Sequence, residues 1–208
     1  MKLPDEKRWQ RLCADSGVRD EDLREHRRVA AAYGEPGRHY HNLQHIGECL
    51  TEFDAARALA KQPLLVEWAL WFHDVVYDST AGDNEERSAE AARHFLAKGG
   101  IKPADVDTVT QLVMMTKHHN TGADVDSQIL VDVDLSILGR EEARFFEYET
   151  AIRKEYAWVE ESLFRKKRAE ILERFLLRER LYATDFFRDK YEAQARRNLE
   201  KSIRVLRN

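Results

Sequence analysis

The stretch FRKKRAEILERFLLRERLY, residues 164–182, places large apolar side chains on one side of a highly charged segment. Its apolar residues Phe164, Ile171, Phe175 and Tyr182 are separated by whole helical turns, which is typical of an amphipathic α-helix. Neither glycine nor proline occurs after Gly139. The C-terminal third of the chain therefore favours long, uninterrupted helices.

The same periodicity predicts helices throughout the rest of the chain, and alternating strand patterns are absent, so the predicted fold class is all-α. Proline and glycine mark the turns, for example at Pro36-Gly37 and at Gly99-Gly100. The segment 128–138 fits either the start of a strand or a buried helix. Helices are predicted at about residues 5–15, 20–33, 41–60, 64–77, 83–98 and 104–120, with another after the N-cap residue Thr184.

Length and composition predict one folded domain over residues 1–208, with a core at 35–140 and a helical extension at 141–208. Hydrophobic residues make up 43% and charged residues 35% of the chain, which excludes intrinsic disorder. No apolar run approaches the roughly 20 residues of a membrane span. The charged N-terminus is unlike a signal peptide, and two cysteines do not make a disulfide framework. We therefore expect a cytoplasmic protein.

The charge distribution favours a cation site over nucleic-acid binding. The net charge is −4 and the pI is about 6.1, which argues against general binding of nucleic acid. Residues 1–139 carry 16 basic and 24 acidic side chains, whereas residues 140–208 carry 18 and 14. The acidic part, residues 1–139, also contains the histidines. Histidines among acidic residues suit a site for a cation.

Five of the eight histidines occur in clusters. His41 and His45 are four residues apart, which on a helix would place both on one face. His73 and Asp74 follow an apolar run, where an ionised carboxylate costs several kcal/mol unless it is paired or bound to a metal. Imidazole and carboxylate together suit a divalent metal ion. The remaining cluster residues are His118, His119, Asp132 and Asp134.

These clusters resemble the H…HD…D signature of the HD-domain superfamily of metal-dependent phosphohydrolases. The similarity is strong to small bacterial proteins described as predicted phosphohydrolases of that superfamily, and more distant to cyclic-nucleotide phosphodiesterases. It covers most of the chain and implies an HD-like helical bundle with the long C-terminal helices packed on it. The matching motifs are Tyr40-His41-Asn42-x-x-His45, Phe72-His73-Asp74-x-x-Tyr77, Asn84-Glu85-x-x-Ser88-Ala89, Thr116-Lys-x-His119 and Asp132-x-Asp134-Leu135.

The resemblance assigns roles residue by residue. It implies that His41 protonates the leaving group, as its counterpart does in the phosphodiesterases. His119, with His118 as the alternative, corresponds to a position that in some branches binds a second metal or the substrate phosphate. The four metal-ligand positions correspond to His45, His73, Asp74 and Asp134, with Asp132 as the alternate for the last.

Other roles follow from proximity along the sequence. Many HD nucleotidases have a glutamate three residues after the His-Asp pair, where this chain has Tyr77. The nearby carboxylates Asp78 and Glu85 are therefore alternatives for orienting the attacking water. Arg38 and Lys117 lie next to the clusters and are candidates for binding phosphate.

We therefore expect a metal-dependent phosphohydrolase acting on a nucleotide or another small phosphorylated metabolite. The mixed ligands do not choose among Mn, Mg, Fe, Co, Ni and Zn. The expected partner is the small substrate, with a homodimer left open and with neither a membrane nor a nucleic acid as partner. The alternatives are an HD-fold di-iron oxygenase and a non-catalytic regulatory protein that binds metal or nucleotide.

Overall fold

A computed structural model describes residues 6–119 and 122–208 of the protein, and these residues form helices and no strand. The all-α prediction is confirmed. Three short 3-10 segments, Glu21–Leu23, Arg57–Leu59 and Leu135–Gly139, adjoin the longer helices. The α-helices are α1 (Glu6–Ser16), α2 (Arg24–Tyr33), α3 (Leu43–Ala56), α4 (Pro63–Phe72), α5 (Asn84–Lys98), α6 (Pro103–Met115), α7 (Val125–Asp134), α8 (Glu142–Glu155), α9 (Glu161–Leu176) and α10 (Asp185–Arg207).

Three predicted helices are shorter than expected at candidate site residues. The predicted helix 104–120 ends at Met115, before Lys117, His118 and His119. The predicted helix 41–60 begins only at Leu43, because Asn42 is its N-cap, so His41 precedes the helix. The predicted helix 64–77 ends at Phe72, so the His-Asp pair lies in the following turn. The ambiguous segment 128–138 is helical, formed by the end of α7 and the 3-10 segment after it.

The chain divides into two compact units, residues 1–131 and 132–208. Helices α1 to α6 and most of α7 belong to the first unit. The last turn of α7 and helices α8 to α10 belong to the second. The prediction of a single domain over residues 1–208 remains a prediction.

Helix α4 runs through the centre of the first unit and contacts α1, α3, α5 and α6. Every side chain from Leu65 to Phe72 is buried, which is why this helix has no polar face. Trp9 of α1 meets Trp68 edge-on with ring centroids 5.0 Å apart, and Phe72 stacks on Phe95 of α5 at 5.8 Å. Because each buried aromatic side chain contributes about 1.5–3 kcal/mol, this packing fixes the end of α4.

The second unit contains the long C-terminal helices that the sequence predicts. Helix α10 packs against α9 and the 3-10 segment before α8, and Thr184 caps its start, as predicted. Gly139 approaches α10 so closely that an added Cβ would collide with Tyr191. Inside the unit, buried Arg168 pairs with Glu149. Across the described ranges, none of the helices combines the length and apolar character needed to cross a bilayer.

Candidate metal centre

The position of His45 is set by the residue that begins α3. The Asn42 side-chain oxygen accepts hydrogen bonds from the backbone N–H groups of Gln44 at 2.8 Å and His45 at 3.4 Å. Its amide nitrogen donates to the His39 carbonyl at 2.8 Å. An asparagine N-cap satisfies backbone donors that a helix start leaves unpaired. It also places His45 in the first turn of α3, where the side chain is buried.

His73 and Asp74 lie in the turn after α4, and residues distant in sequence hold this turn. The Arg38 guanidinium donates to the backbone carbonyls of Asp74 at 2.6 Å and Val75 at 2.9 Å. The Tyr33 hydroxyl accepts from the Asp74 amide at 3.3 Å. These bonds replace those of a further helical turn, which explains why α4 ends before the His-Asp pair.

The structure gives Arg38 a role in positioning the backbone. Its side chain is only 4% exposed, and all three guanidinium nitrogens are engaged. Besides the two carbonyls of the turn, the guanidinium pairs with Glu35 through Nε at 3.1 Å. Its predicted role in binding phosphate remains a prediction.

Three ligand atoms of the first unit converge within one small volume. The Nε2 atoms of His45 and His73 are 3.0 Å apart, and Oδ2 of Asp74 lies 3.4 Å and 3.1 Å from them, respectively. For metal–ligand bonds of about 2.1 Å, neighbouring ligand atoms are about 3.0 Å apart in an octahedral site and about 3.4 Å apart in a tetrahedral one. The observed separations therefore match one face of a metal coordination shell.

Hydrogen bonding and charge prepare these atoms for a cation. The Nδ1 atom of His73 lies 2.8 Å from the Leu70 carbonyl, so it carries the proton and leaves the Nε2 lone pair toward the centre. Burial acts to raise the pKa of Asp74, but the nearby imidazoles of His73 and His41 lower it more, to well below its usual range. The carboxylate is therefore held in its charged form.

Cys49 also belongs to this group, although the sequence analysis does not single it out. Its Sγ lies 3.7 Å from Nδ1 and 3.8 Å from Nε2 of His45. One ligand atom each from His45, Cys49 and His73 lie within 4.8 Å of one another. The signal that could have revealed Cys49 is its spacing of four residues from His45 on a helix. This group of His, Cys and Asp side chains could hold a metal ion.

The two alternates for the last ligand differ in their hydrogen bonding within the second unit. Asp132 is buried, and its carboxylate accepts from the Ala183 amide at 2.8 Å and from the Thr184 amide at 2.8 Å and hydroxyl at 2.7 Å. Burial raises its pKa although these bonds lower it. Asp132 thus supports the start of α10, and its role as the alternate ligand remains a prediction. Asp134 ends α7, and its role as a ligand remains a prediction.

His41 lies beside the centre, outside any helix. Its ring stacks on Tyr77 with centroids 4.1 Å apart and an interplanar angle of 24°, and its centroid is 6.0 Å from that of His45. The predicted shared helix face of His41 and His45 is wrong, because Asn42 starts the helix between them. The tertiary fold nevertheless brings the two imidazoles together.

The two carboxylates predicted to orient water differ in availability. Asp78 Oδ1 accepts from the Thr80 amide at 2.8 Å and hydroxyl at 2.6 Å, and these bonds lower the pKa of Asp78. The side-chain amide of Asn84 bonds the Asp78 backbone twice. It accepts from the Asp78 N–H at 3.0 Å and donates to the Asp78 carbonyl at 2.9 Å. Glu85 is half-buried in the first turn of α5. Either role remains a prediction.

The remaining basic candidates lie at the C-terminal end of α6. The Lys117 ammonium forms an ion pair with Glu86 and donates to the Gly82 carbonyl at 3.0 Å. His118 is exposed. His119 is half-buried, and it adopts a left-handed φ of 50°, a conformation in which histidine is enriched among residues with a side chain. Their roles toward substrate or a second metal remain predictions.

No protein-family model matches this chain, and neither a curated protein nor a solved structure is significantly similar to it. The likeness to the HD superfamily therefore rests on the order of the motifs in the sequence. The convergence of His45, His73 and Asp74 adds a geometric observation that those motifs alone do not contain.

Proposed function

We propose that this protein is a metal-dependent phosphohydrolase of the HD type that cleaves a phosphate ester of a nucleotide or another small phosphorylated metabolite. The observation that supports it best is the separation of 3.0–3.4 Å among Nε2 of His45, Nε2 of His73 and Oδ2 of Asp74. The Asp74 carboxylate is only 18% exposed, and a carboxylate so far removed from water is costly unless a cation or proton compensates it. A divalent ion compensates the charge and uses all three lone pairs.

The proposed ligands are His45, His73, Asp74 and Asp134, of which the last follows from the resemblance, and it is preferred because the Asp132 carboxylate already accepts three hydrogen bonds. When bound, a divalent ion supplies a water of lowered pKa and neutralises charge on the phosphate oxygens. Proton donation, orientation of the attacking water and contact with the phosphate are assigned to side chains of the protein. The separations among the three first-unit ligands span octahedral and tetrahedral values, so they are compatible with Mn, Mg, Fe, Co, Ni or Zn.

His41 is proposed to donate a proton to the leaving oxygen. Histidine is the side chain that most often serves as a general acid in enzymes. The stacked Tyr77 ring holds the imidazole in one plane, and this orientation is what general acid catalysis requires. Tyr77 lies three residues after the His-Asp pair, where many HD nucleotidases have a glutamate. Its proposed role here is to orient the His41 imidazole.

Glu85 is the better candidate for orienting the attacking water. The Asp78 carboxylate already accepts two hydrogen bonds from Thr80, so using it would cost those bonds. Lys117 is the proposed phosphate contact, and a substrate phosphate would compete with Glu86 for its ammonium. We do not assign Arg38 to the substrate, because its guanidinium is buried and bonded to backbone carbonyls.

The test is metal analysis of freshly purified protein, followed by phosphate release from a panel of nucleotides and sugar phosphates with the metal found. Asp74→Ala should lose the bound ion and the activity together. The matched control Asp54→Asn changes a carboxylate on α3 that is 57% exposed, and it should keep both. Full metal content in Asp74→Ala would refute the ligand assignment. Retained iron with a mixed-valence signal and no phosphate release would support the oxygenase alternative instead.

A further inference from the structure

Cys49 would supply the centre with a third kind of ligand atom, a sulfur. It follows His45 by one turn of α3, and its side chain is buried, with the residue 2% exposed. Its sulfur is 3.7 Å and 3.8 Å from the two ring nitrogens of His45. It also lies within 4.8 Å of a ring nitrogen of His73. The other cysteine of the chain, Cys13, is buried in α1 and belongs to no such group among the described residues.

We infer that Cys49 is a thiolate ligand of the metal ion, and that the centre consequently takes zinc, ferrous iron or cobalt in preference to magnesium. This inference rests on the proposed metal centre and adds a ligand that the HD resemblance does not supply. Thiolate selects soft and borderline metals, whereas magnesium prefers oxygen ligands. On binding, the thiol loses its proton to solvent and the sulfur lone pair forms the bond to the metal.

The distance between Cys49 and His45 agrees with a tetrahedral angle between these two ligands at the metal. With metal–sulfur bonds of about 2.3 Å and metal–nitrogen bonds of about 2.1 Å, a sulfur and a nitrogen ligand are about 3.6 Å apart in a tetrahedral site. In an octahedral site the same pair would be about 3.1 Å apart. The observed 3.8 Å between Cys49 Sγ and His45 Nε2 is nearer to the tetrahedral value.

A second role for Cys49 makes a different prediction. At 3.7 Å the sulfur could instead accept a weak hydrogen bond from Nδ1–H of His45, and it would then orient the imidazole without touching the metal. A ligand sulfur and a hydrogen-bonded sulfur differ in their spectra. Only direct bonding produces charge transfer from sulfur to a transition metal.

The experiment is anaerobic titration of the chelator-stripped full chain with Co²⁺, followed by absorption spectroscopy. Cys13→Ser keeps Cys49 as the sole thiol, so this variant should show an intense near-ultraviolet sulfur-to-cobalt band beside the weaker visible bands. Cys49→Ser should lose the near-ultraviolet band and should bind zinc at least about tenfold more weakly, with a smaller change for Mn²⁺.

The outcomes separate this inference from the proposed function. Visible cobalt bands without the sulfur band in Cys13→Ser would overturn the ligand assignment and leave the metal centre standing. Absence of any cobalt binding to the unmodified chain would overturn the centre and the inference with it. Because the decisive spectrum is that of Cys13→Ser, misfolding of Cys49→Ser does not affect the result.

Discussion

The guanidinium of Arg38 donates a 2.6 Å hydrogen bond to the backbone carbonyl of Asp74. The side chain of the same aspartate lies 3.1 Å from His73 and 3.4 Å from His45. The backbone of one metal-ligand candidate is thus held by a buried cation from another part of the chain. The position of the carboxylate depends on that cation.

Arg38→Ala should therefore disturb the centre through the backbone. It leaves two inward-facing carbonyls without their donor, and each buried unsatisfied group costs about 1–3 kcal/mol. We expect a loss of about 2–4 kcal/mol in the free energy of unfolding by urea, together with weaker metal binding. The control Arg28→Ala removes an exposed ion pair with Glu25 and should change stability by less than about 1 kcal/mol. A raised KM at unchanged stability would instead restore the phosphate-binding role.

The Asn42 cap provides a second test of how the fold places a ligand. Asn42→Ala removes the acceptor for the amides of Gln44 and His45 and should cost about 1 kcal/mol of stability. Asn42→Asp retains that acceptor and should recover most of the loss. Metal affinity measured in both variants should follow the same order, because His45 lies in the capped turn. If Asn42→Ala binds metal as tightly as Asn42→Asp does, the cap does not position His45.

The residues of this site can be predicted from the sequence more reliably than the helix ends on which they lie. His45, His73 and Asp74 are evident because polar groups in apolar surroundings require compensation, and that argument is local. The end of α4 before His73 is not evident, because Arg38 and Tyr33, far away in sequence, terminate the helix. The periodicity of apolar residues indicates which secondary structure a segment prefers. It does not show which side chains from distant parts of the sequence will contact that segment.

Two further features depend on tertiary contacts. Cys49 reads as a small apolar residue, and only the convergence of α3 with the turn after α4 places its sulfur near two imidazoles. Asp132 and Asp134 are equivalent in the sequence. The donors that occupy Asp132, the amides of Ala183 and Thr184, are about fifty residues away, so only the fold distinguishes the two carboxylates.

This distinction predicts opposite behaviour of two neighbouring variants. Asp132→Ala leaves the amides of Ala183 and Thr184 unpaired and should lower the free energy of unfolding by about 2–4 kcal/mol, with metal content unchanged. Asp134→Ala should lose the metal. Urea unfolding of the stripped proteins and metal analysis of the purified ones measure the two effects. Metal loss confined to Asp132→Ala would reverse the assignment.

Tyr33 predicts a dependence of stability on alkaline pH. Burial raises its pKa from 10 to about 12, so the folded state binds its proton more tightly than the unfolded state does. The associated stability is fully present below about pH 10 and is lost as the pH rises through about 12, a change of about 3 kcal/mol. Tyr33→Phe should lose about 1 kcal/mol at neutral pH, through its bonds to Trp71 and Asp74. It should unfold with a weaker dependence on pH between 10 and 12, whereas an unchanged slope would contradict the shift.

The role of His41 can be separated from metal binding by the choice of substrate. His41→Gln should retain the metal, because His41 is not a proposed ligand, and should lower kcat by about 10²–10⁴-fold on esters with poor leaving groups. Esters whose leaving group departs without a proton should be affected much less. His39→Gln changes an exposed neighbouring histidine and serves as the matched control. Equal slowing on both kinds of ester would argue against proton donation and would leave His41 as a residue that positions substrate or supports the charge of Asp74.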